Sequence, residues 1–216
     1  MIKIAVMASG RGSNFEAIVR AVRAEDFPAE VSVLVSDRED AQVLRRAEKL
    51  GIDSHLLDPD NYSTRKQFER KTADLLSAYS TELVALAGFT RQLSPIFIER
   101  FSERIMNIHP SLLPAFKGLN AQKQALDFGV KITGCTVHFV TEKLDNGPII
   151  LQAPVVVKEN DDVKQLSRRI RRQEHKIYPQ AIELFARDCL EIRDGKVLIK
   201  DHCRQNFDRR SIVCYS

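Results

Sequence analysis

The chain opens with the stretch IKIAVMA at residues 2–8, followed directly by SGRGSN at residues 9–14. A short apolar run of this kind is typical of a buried parallel strand, and the glycine-rich segment then turns the chain into a helix, expected from Phe15 to about Ala24. The helix N-terminus offers free N–H groups and a positive dipole end to an anion. We therefore expect a phosphate-binding turn, with a plain turn capped by Ser13 or Asn14 as the alternative.

The alternation of strand and helix continues through the first half of the chain. Further strands are expected at 31–35, 54–57 and 83–87, and helices at 41–50, 63–78 and 94–101. This order predicts an α/β fold with a Rossmann-like open sheet that is parallel in its first half. An NAD site would use the G-x-G turn and Asp37, but Phe15 stands where the third glycine is expected. We favour Ser36-Asp37 as a helix cap instead.

The second half of the chain has a mixed pattern. Helices are expected at 120–128 and 161–186, strands at 133–140 and 149–157, and a D-G hairpin at 191–198, with the strand at 133–140 alternating as a half-exposed strand. We predict one domain over residues 1–187, divided into a phosphate-binding half (1–108) and a catalytic half (109–187). Residues 188–216 would add a hairpin and tail to the same domain.

Composition excludes several classes of protein. The chain has 216 residues, 44% of them apolar, and no apolar run approaches the length of a membrane span. The net charge of +4 is poor evidence for nucleic-acid binding, although it suits small anionic substrates. The four cysteines show neither a C-x-x-C pair nor zinc-site spacing, so we expect no disulfide and no metal. The arginine cluster at 168–172 is expected to be a solvated face, with a phosphate contact as the alternative.

The stretch NIHPSLLP at residues 107–114 is the strongest candidate for a site. Asn107 and His109 lie two residues apart at the end of a predicted strand, so their side chains project to the same side. Pro110 then ends the strand, and the chain leaves the sheet as a loop. A structural turn with a hydrogen-bonded histidine is the alternative interpretation of this motif.

An acidic loop residue, Asp145, completes a possible constellation. The carboxyl ends of parallel strands share one edge of a sheet, so the turns at Gly12 and Gly88 and the exit at Asn107 and His109 could share a cleft. A carboxylate beside a histidine favours the charged ring, which suits a general acid. An amide could stabilise an oxyanion. No serine or cysteine nucleophile is placed convincingly, so we infer acyl-type transfer by direct attack, without a covalent enzyme intermediate.

Several further blocks accompany this motif. They are SGRGSN at 9–14, AGFTRQLS at 87–94, Gly118, GCTVHFV at 134–140, DNGPIILQ at 145–152 and QEHKIYP at 173–179. Together with NIHPSLLP they resemble the folate-dependent phosphoribosylglycinamide formyltransferases of purine biosynthesis, over residues 1 to about 187. The resemblance implies that 10-formyltetrahydrofolate, as co-substrate, donates its formyl group to the glycinamide amine of N1-(5-phospho-D-ribosyl)glycinamide, without a metal.

The resemblance also implies roles for individual residues. Asn107 would hold the formyl oxygen, His109 would act as the acid, and Asp145 would keep His109 charged. The phosphoribosylglycinamide site would comprise Gly12, Ser13, Asn14, Arg171, Arg172, Gln173 and Glu174. The formyl folate site would comprise Arg65, Thr90, Arg91, Gln92, Leu93, Asn107, Thr141, Glu142, Lys143, Leu144 and Asp145. His138 is expected to be structural. Thr90, Gln92 and Asn120 depart from residues common in related enzymes.

Rival interpretations remain within and outside this family. A formyltetrahydrofolate hydrolase would be expected to carry an extra N-terminal domain, whereas the first strand here begins at Ile2, and a tRNA formyltransferase would be expected to be longer. A catalytically silent nucleotide- or folate-binding module would be expected to lack Asn107, His109 or Asp145. We expect a cytoplasmic enzyme, monomeric or homodimeric, that acts on small molecules and binds neither nucleic acid nor membrane.

Overall fold

A computed structural model describes residues 1–24 and 26–207 of the chain. The chain divides into two compact units, the first from Met1 to Asn107 and the second beginning at Ile108. Among the described residues, no helix is both long and apolar enough to cross a membrane. The predicted domain limit at residue 187 stays a prediction.

The first unit is built on parallel strands joined by helices. Its strands are β1 (Ile2–Met7), β2 (Ala29–Ser36), β3 (Ser54–Leu56), β4 (Leu83–Leu86) and β5 (Ile105–His109), and β5 continues into the second unit. Its helices are α1 (Ser13–Val22), α2 (Gln42–Leu50), α3 (Arg65–Ala78) and α4 (Pro95–Arg100), with a 3₁₀ turn at Pro59–Asn61. The strand order is β3-β2-β1-β4-β5, and all neighbours are parallel. The predicted parallel half is confirmed.

The first strand lies in the middle of this sheet. Ile4, Val6 and Met7 are completely inaccessible to solvent. Each large apolar side chain removed from water in this way contributes about 1.5–3 kcal/mol. The uninterrupted apolar run that marked β1 in the sequence therefore reflects burial on both faces of the sheet.

The helix that follows β1 is not capped by Ser13 or Asn14. The residue preceding α1 is Gly12, in the left-handed region at φ 75°, and no side chain caps the helix. Ser13 and Asn14 lie inside the first turn, so the interpretation of either as the cap is wrong. A Cβ atom on Gly12 would overlap the side chain of Val43, which is a second reason for glycine here.

The predicted cap of α2 is also wrong. Ala41 precedes this helix, and no side chain caps it. Asp37 instead accepts a hydrogen bond from Arg91 Nε at 2.8 Å. Ser36 Oγ accepts from the Arg38 amide, two residues ahead. The local sequence favours a cap, because the residues around Asp37 do not show that Arg91, 54 positions later, pairs with it in the folded chain.

The second unit is mixed in topology. Its elements are α5 (Ala121–Phe128), β6 (Ile132–Phe139), β7 (Ile149–Val156), α6 (Val163–Ala186), β8 (Leu190–Arg193), β9 (Lys196–Ile199) and α7 (Asp201–Phe207). β6 pairs with β7 and β8 pairs with β9, both in antiparallel register. The predicted mixed second half and the α/β fold class are confirmed.

The prediction that residues 133–140 form a half-exposed strand is wrong. Every residue of β6 after Ile132 is buried. α6 covers one face, where Phe139 contacts Phe185 with ring centroids 6.4 Å apart. The loop after β5 covers the other face, where Thr136 is hydrogen-bonded to that loop. Thr136 and His138 resemble residues of a solvent-exposed face in the sequence, but both are buried and form hydrogen bonds inside the protein.

The expectation of no disulfide is wrong as well. Cys189, just before β8, is bonded to Cys203 in α7. A short motif such as C-x-x-C does not reveal this pair. The two cysteines are 14 positions apart in the sequence, and the hairpin of β8 and β9 brings them together. The remaining described cysteine, Cys135, is free and buried. Cys214 lies outside the described residues.

Candidate active site

The end of β5 presents the two side chains that the sequence singled out. Backbone pairing with β4 aligns Leu86 with Asn107, the last register pair of these two strands. His109 is the final residue of β5, and Pro110 follows it. Side chains two residues apart on a strand project to the same side, so the amide and the imidazole leave β5 in one direction.

The ring of His109 lies between two oxygen atoms. Nδ1 is 3.3 Å from Asp145 Oδ2, and Nε2 is 2.8 Å from the backbone oxygen of Phe116. A carbonyl and an ionised carboxylate only accept hydrogen bonds. Both contacts are therefore hydrogen bonds only when the ring carries both protons. The side chains of His109 and Asp145 are only 6% and 8% exposed, so the pair is nearly dry.

The loop that supplies the Phe116 oxygen is fixed to the β6–β7 hairpin. Thr136 Oγ1 donates to the Ser111 oxygen at 2.7 Å and accepts from the Leu113 amide at 3.0 Å. Gln152 Nε2 donates to the Leu113 oxygen at 2.9 Å. These bonds are buried or partly buried, so water competes weakly with them. Three hydrogen bonds between β6 and β7 side chains and the backbone of Ser111 and Leu113 thus hold the loop after His109 in place.

Asp145 is positioned by backbone as well as by histidine. Its Oδ2 accepts the Gly118 amide at 2.8 Å. Asp145 itself has φ 46°, a left-handed conformation that aspartate tolerates better than most residues. A Cβ atom on Gly147 would overlap the backbone oxygen of Phe139, so glycine is required two residues later. The carboxylate is therefore delivered by a turn with little freedom.

A second histidine lies against the same carboxylate. His138 Nε2 is 3.8 Å from Asp145 Oδ1, and its Nδ1 contacts the Phe139 oxygen at 2.9 Å. Burial lowers the pKa of His138, against the opposite effects of the Phe139 carbonyl and Asp145. Sequence reasoning gave His138 only a structural role. The signal that it lies near the site was its position on a predicted strand just before the loop that carries Asp145.

The glycine turn of the first unit leads directly into the N-terminus of α1. The Gly12 oxygen accepts the Glu16 amide at 3.0 Å, the first bond of α1. The amides of the residues that follow Gly12 precede this bond and point out of the helix start. This is the arrangement that binds phosphate groups at helix N-termini. The assignment of Gly12, Ser13 and Asn14 to a phosphate site stays a prediction.

The predicted folate residues of the first unit form one connected group. Arg65, at the start of α3, donates to the backbone oxygen of Gln92 and, through Nε, to Glu69 at 3.0 Å. The amide of Thr90 donates to Ser9 Oγ at 3.1 Å. Leu93 is buried, whereas Arg91 is half exposed and pairs with Asp37. The structure thus brings Arg65 and residues 90–93 together.

The α6 segment predicted to bind the ribose side has one unusual feature. The Oε1 atom of Gln173 is buried and accepts no hydrogen bond from any residue that the structure describes. Glu174 is buried, Arg171 is partly exposed and Arg172 is exposed. A buried acceptor without a donor costs about 1–3 kcal/mol, unless something outside the protein supplies the donor.

The rest of the arginine cluster behaves as two kinds of residue. Arg168 and Arg172 are exposed, as expected for a solvated face. Arg169 instead donates to both carboxylate oxygens of Asp161. The hydrogen bond from Arg169 is the main cause of a lowered pKa of Asp161. Thr141, Glu142, Lys143 and Leu144 are exposed on the loop before Asp145.

Comparison with known proteins places the chain among formyl transferases. A family model described as formyl transferase matches residues 2–182. The chain is 43% identical over 183 residues to phosphoribosylglycinamide formyltransferase of Bacillus subtilis (strain 168), covering 85% of this chain and 94% of that protein.

Two further relatives extend this comparison. The chain is 42% identical over 200 residues to the trifunctional purine biosynthetic protein adenosine-3 of Gallus gallus, covering 92% of this chain but 20% of that protein. It therefore spans about a fifth of that relative's length. The solved structure of glycinamide ribonucleotide transformylase 1 from Symbiobacterium toebii has a TM-score of 0.91 at 51% identity, covering 93% of this chain and 95% of that one. The fold, the site and these matches together show that the chain belongs to the formyl transferase family.

Proposed function

We propose that this protein transfers the formyl group of 10-formyltetrahydrofolate to the glycinamide amine of N1-(5-phospho-D-ribosyl)glycinamide. A relative that matches most of the chain, from Bacillus subtilis, is named phosphoribosylglycinamide formyltransferase. The observation that carries the proposal is the His109 ring between Asp145 and the Phe116 oxygen. An imidazole whose Nδ1 faces a carboxylate can carry both ring protons, and the proton on Nε2 is then the one that can be donated.

The proposed chemistry is direct attack by the substrate amine. The amine nitrogen forms a bond to the formyl carbon, and the carbonyl electrons move to oxygen. The side-chain amide of Asn107 would donate to that oxygen, a contact worth about 2.7–4 kcal/mol in comparable sites. The bond to the folate nitrogen then breaks, and that nitrogen takes a proton. The attacking nitrogen, now an amide nitrogen, loses one proton, which restores the proton that the enzyme has given up. No enzyme nucleophile or metal takes part in this scheme.

His109 would supply the proton. Nδ1 faces Asp145 and is not free to donate elsewhere, so the proton comes from Nε2. In the structure this N–H contacts the Phe116 oxygen. The departing folate nitrogen would replace the Phe116 oxygen as the acceptor of this proton. Asp145 compensates the ring charge until the transfer takes place.

The two substrates would use different parts of the protein. The phosphate would bind the amides after Gly12, including those of Ser13 and Asn14, while Arg171, Arg172, Gln173 and Glu174 would contact the ribose side. The buried, undonated Oε1 of Gln173 supports this assignment, because a ribose hydroxyl can supply the missing donor. The folate would contact Arg65, residues 90–93, Asn107 and residues 141–145. The hydrogen bond from Arg65 to the backbone oxygen of Gln92 supports a shared binding surface for Arg65 and residues 90–93.

We further propose a cytoplasmic location, small-molecule substrates as the only partners in the reaction, and a monomer or homodimer. The decisive experiment measures formyl consumption with and without phosphoribosylglycinamide. A transferase consumes formyl folate only when the acceptor is present and yields formylated acceptor. Formate release at the same rate without acceptor would instead identify a hydrolase. Binding of both ligands without turnover would identify a silent module.

A further inference from the structure

A cluster of two cysteines and a histidine lies at the C-terminal end of the described chain, separate from the residues of the proposed reaction. The ligand atoms of Cys189, His202 and Cys203 all lie within 4.8 Å of one another. Both cysteines are buried, and His202 is exposed. Two sulfurs and an imidazole are a ligand set that Zn²⁺ uses in proteins, at about 2.3 Å from sulfur and 2.0–2.1 Å from nitrogen.

Backbone hydrogen bonds hold the two cysteines together independently of the bond between their sulfurs. The Lys200 amide donates to the Cys189 oxygen at 2.9 Å, and the Cys203 amide donates to the Lys200 oxygen at 2.9 Å. The Cys189 amide donates to the Leu184 oxygen at 2.8 Å, which ties the start of the hairpin to α6. The antiparallel pairing of β8 with β9 closes the rest of the loop. Reduction therefore leaves the two thiols on a frame that keeps them close.

We propose that Cys189, His202 and Cys203 form a redox-gated Zn²⁺ site, closed to the metal as a disulfide and open to it as a dithiol. Two molecules of a thiol reductant supply two electrons and two protons, so that they become one disulfide while Cys189 and Cys203 become thiols. Zn²⁺ then binds both sulfurs and the neutral imidazole, and the two thiol protons pass to solvent. The protein supplies three ligands, so a water molecule would complete the tetrahedral coordination of Zn²⁺.

The cytoplasmic location proposed above favours this function over a disulfide with a purely structural role. A reducing compartment keeps cysteine pairs as thiols, and clustered cysteine and histidine side chains there more often bind metal. Cys135 provides the contrast within the same unit. It is buried, and burial is the main cause of its raised pKa, which makes it a poor metal ligand. No metal-ligand cluster around Cys135 occurs among the described residues.

The test is a Zn²⁺ titration of the full chain, stripped with a chelator and reduced with a phosphine, in competition with a chromophoric chelator. The reduced protein should bind one equivalent, and the same protein in its oxidised form should bind none at this site. Cys189→Ser and Cys203→Ser should each weaken binding more than about tenfold, and His202→Ala about tenfold, because each loses one of three ligands. Cys135→Ser is the matched control and should bind as the wild type does.

Co²⁺ provides a second, independent readout. Thiolate-to-cobalt charge-transfer absorption should appear with the reduced wild type and vanish in Cys189→Ser and Cys203→Ser. The oxidised wild type is a control that needs no substitution, so misfolding of a serine variant cannot produce the expected pattern. The proposal is wrong if the reduced protein takes up no Zn²⁺, if the oxidised form binds equally well, or if Cys214→Ser abolishes binding.

Discussion

His109 and His138 lie against the same carboxylate, yet they are held in opposite ways. His109 is the last residue of a strand, and both of its ring nitrogens face oxygen acceptors. His138 lies inside β6, where burial lowers its pKa, and its Nδ1 contacts the backbone oxygen of the next residue. The comparison teaches that position on the strand decides the chemistry. A ring at a strand end can exchange its carbonyl partner for a substrate, whereas a ring inside the sheet cannot.

The largest effect is expected for His109→Ala. Loss of a positioned acid lowers the rate about 10²–10⁴-fold. His138→Asn should cost less than about tenfold in kcat, if only His109 transfers the proton. Steady-state kinetics with formyl folate and phosphoribosylglycinamide would measure both variants. Ligand binding, followed by fluorescence or calorimetry, should persist in His109→Ala. Equal losses of kcat in the two variants would contradict the division of roles.

Asp145→Asn tests the partner that both histidines share. The amide keeps the shape of the carboxylate but removes the charge, and charged hydrogen bonds are worth about 1.5–3 kcal/mol. We expect kcat to fall roughly 10–100-fold, since about 1.4 kcal/mol corresponds to tenfold in rate. KM for phosphoribosylglycinamide should change little, because Asp145 is proposed to contact only the folate. A variant with wild-type kcat would show that Asp145 does not support the acid.

Gly147→Ala tests the turn between β6 and β7 that carries Asp145. The added methyl group would overlap the Phe139 oxygen, which also contacts His138 Nδ1. Overpacking of this kind typically costs about 1–3 kcal/mol of stability. Denaturant unfolding measures the cost, and Gly10→Ala is the control, because a Cβ atom there meets nothing within 4 Å. Equal stability of the two variants would indicate that the turn yields freely.

The smallest effect is a pH dependence of stability from His138. Its pKa in the folded protein is lowered from the ordinary value of 6.5, so the unfolded chain binds this proton more readily. Above pH 6.5 the ring is neutral in both states and does not change the stability. Below pH 6.5 the free energy of unfolding falls by up to about 1.4 kcal/mol per pH unit. The wild type should lose more stability than His138→Asn between pH 7.5 and 5.5. Unfolding curves at both values test this, and parallel losses would contradict it.

Much of the first unit follows from local sequence. The apolar run of β1, the glycine at the start of α1 and the Ser94-Pro95 start of α4 each specify a backbone conformation within a few residues. Gly51 and Gly129 likewise end their helices in the left-handed conformation, as expected of glycine. Errors occurred where a side chain had two possible partners. Asp37 suited a local cap but pairs with Arg91, whose approach depends on the folded chain.

The sequence by itself determined the α/β class, the parallel first half and the pairing of Asn107 with His109 on one strand, because strand and helix periods are local properties. The tertiary structure alone decided that Asp145 meets His109, that His138 shares this carboxylate, and that Cys189 meets Cys203. These contacts join residues 7 to 36 positions apart. Their distances depend on how loops close and strands pair, and the residues in between carry no local signal of that closure.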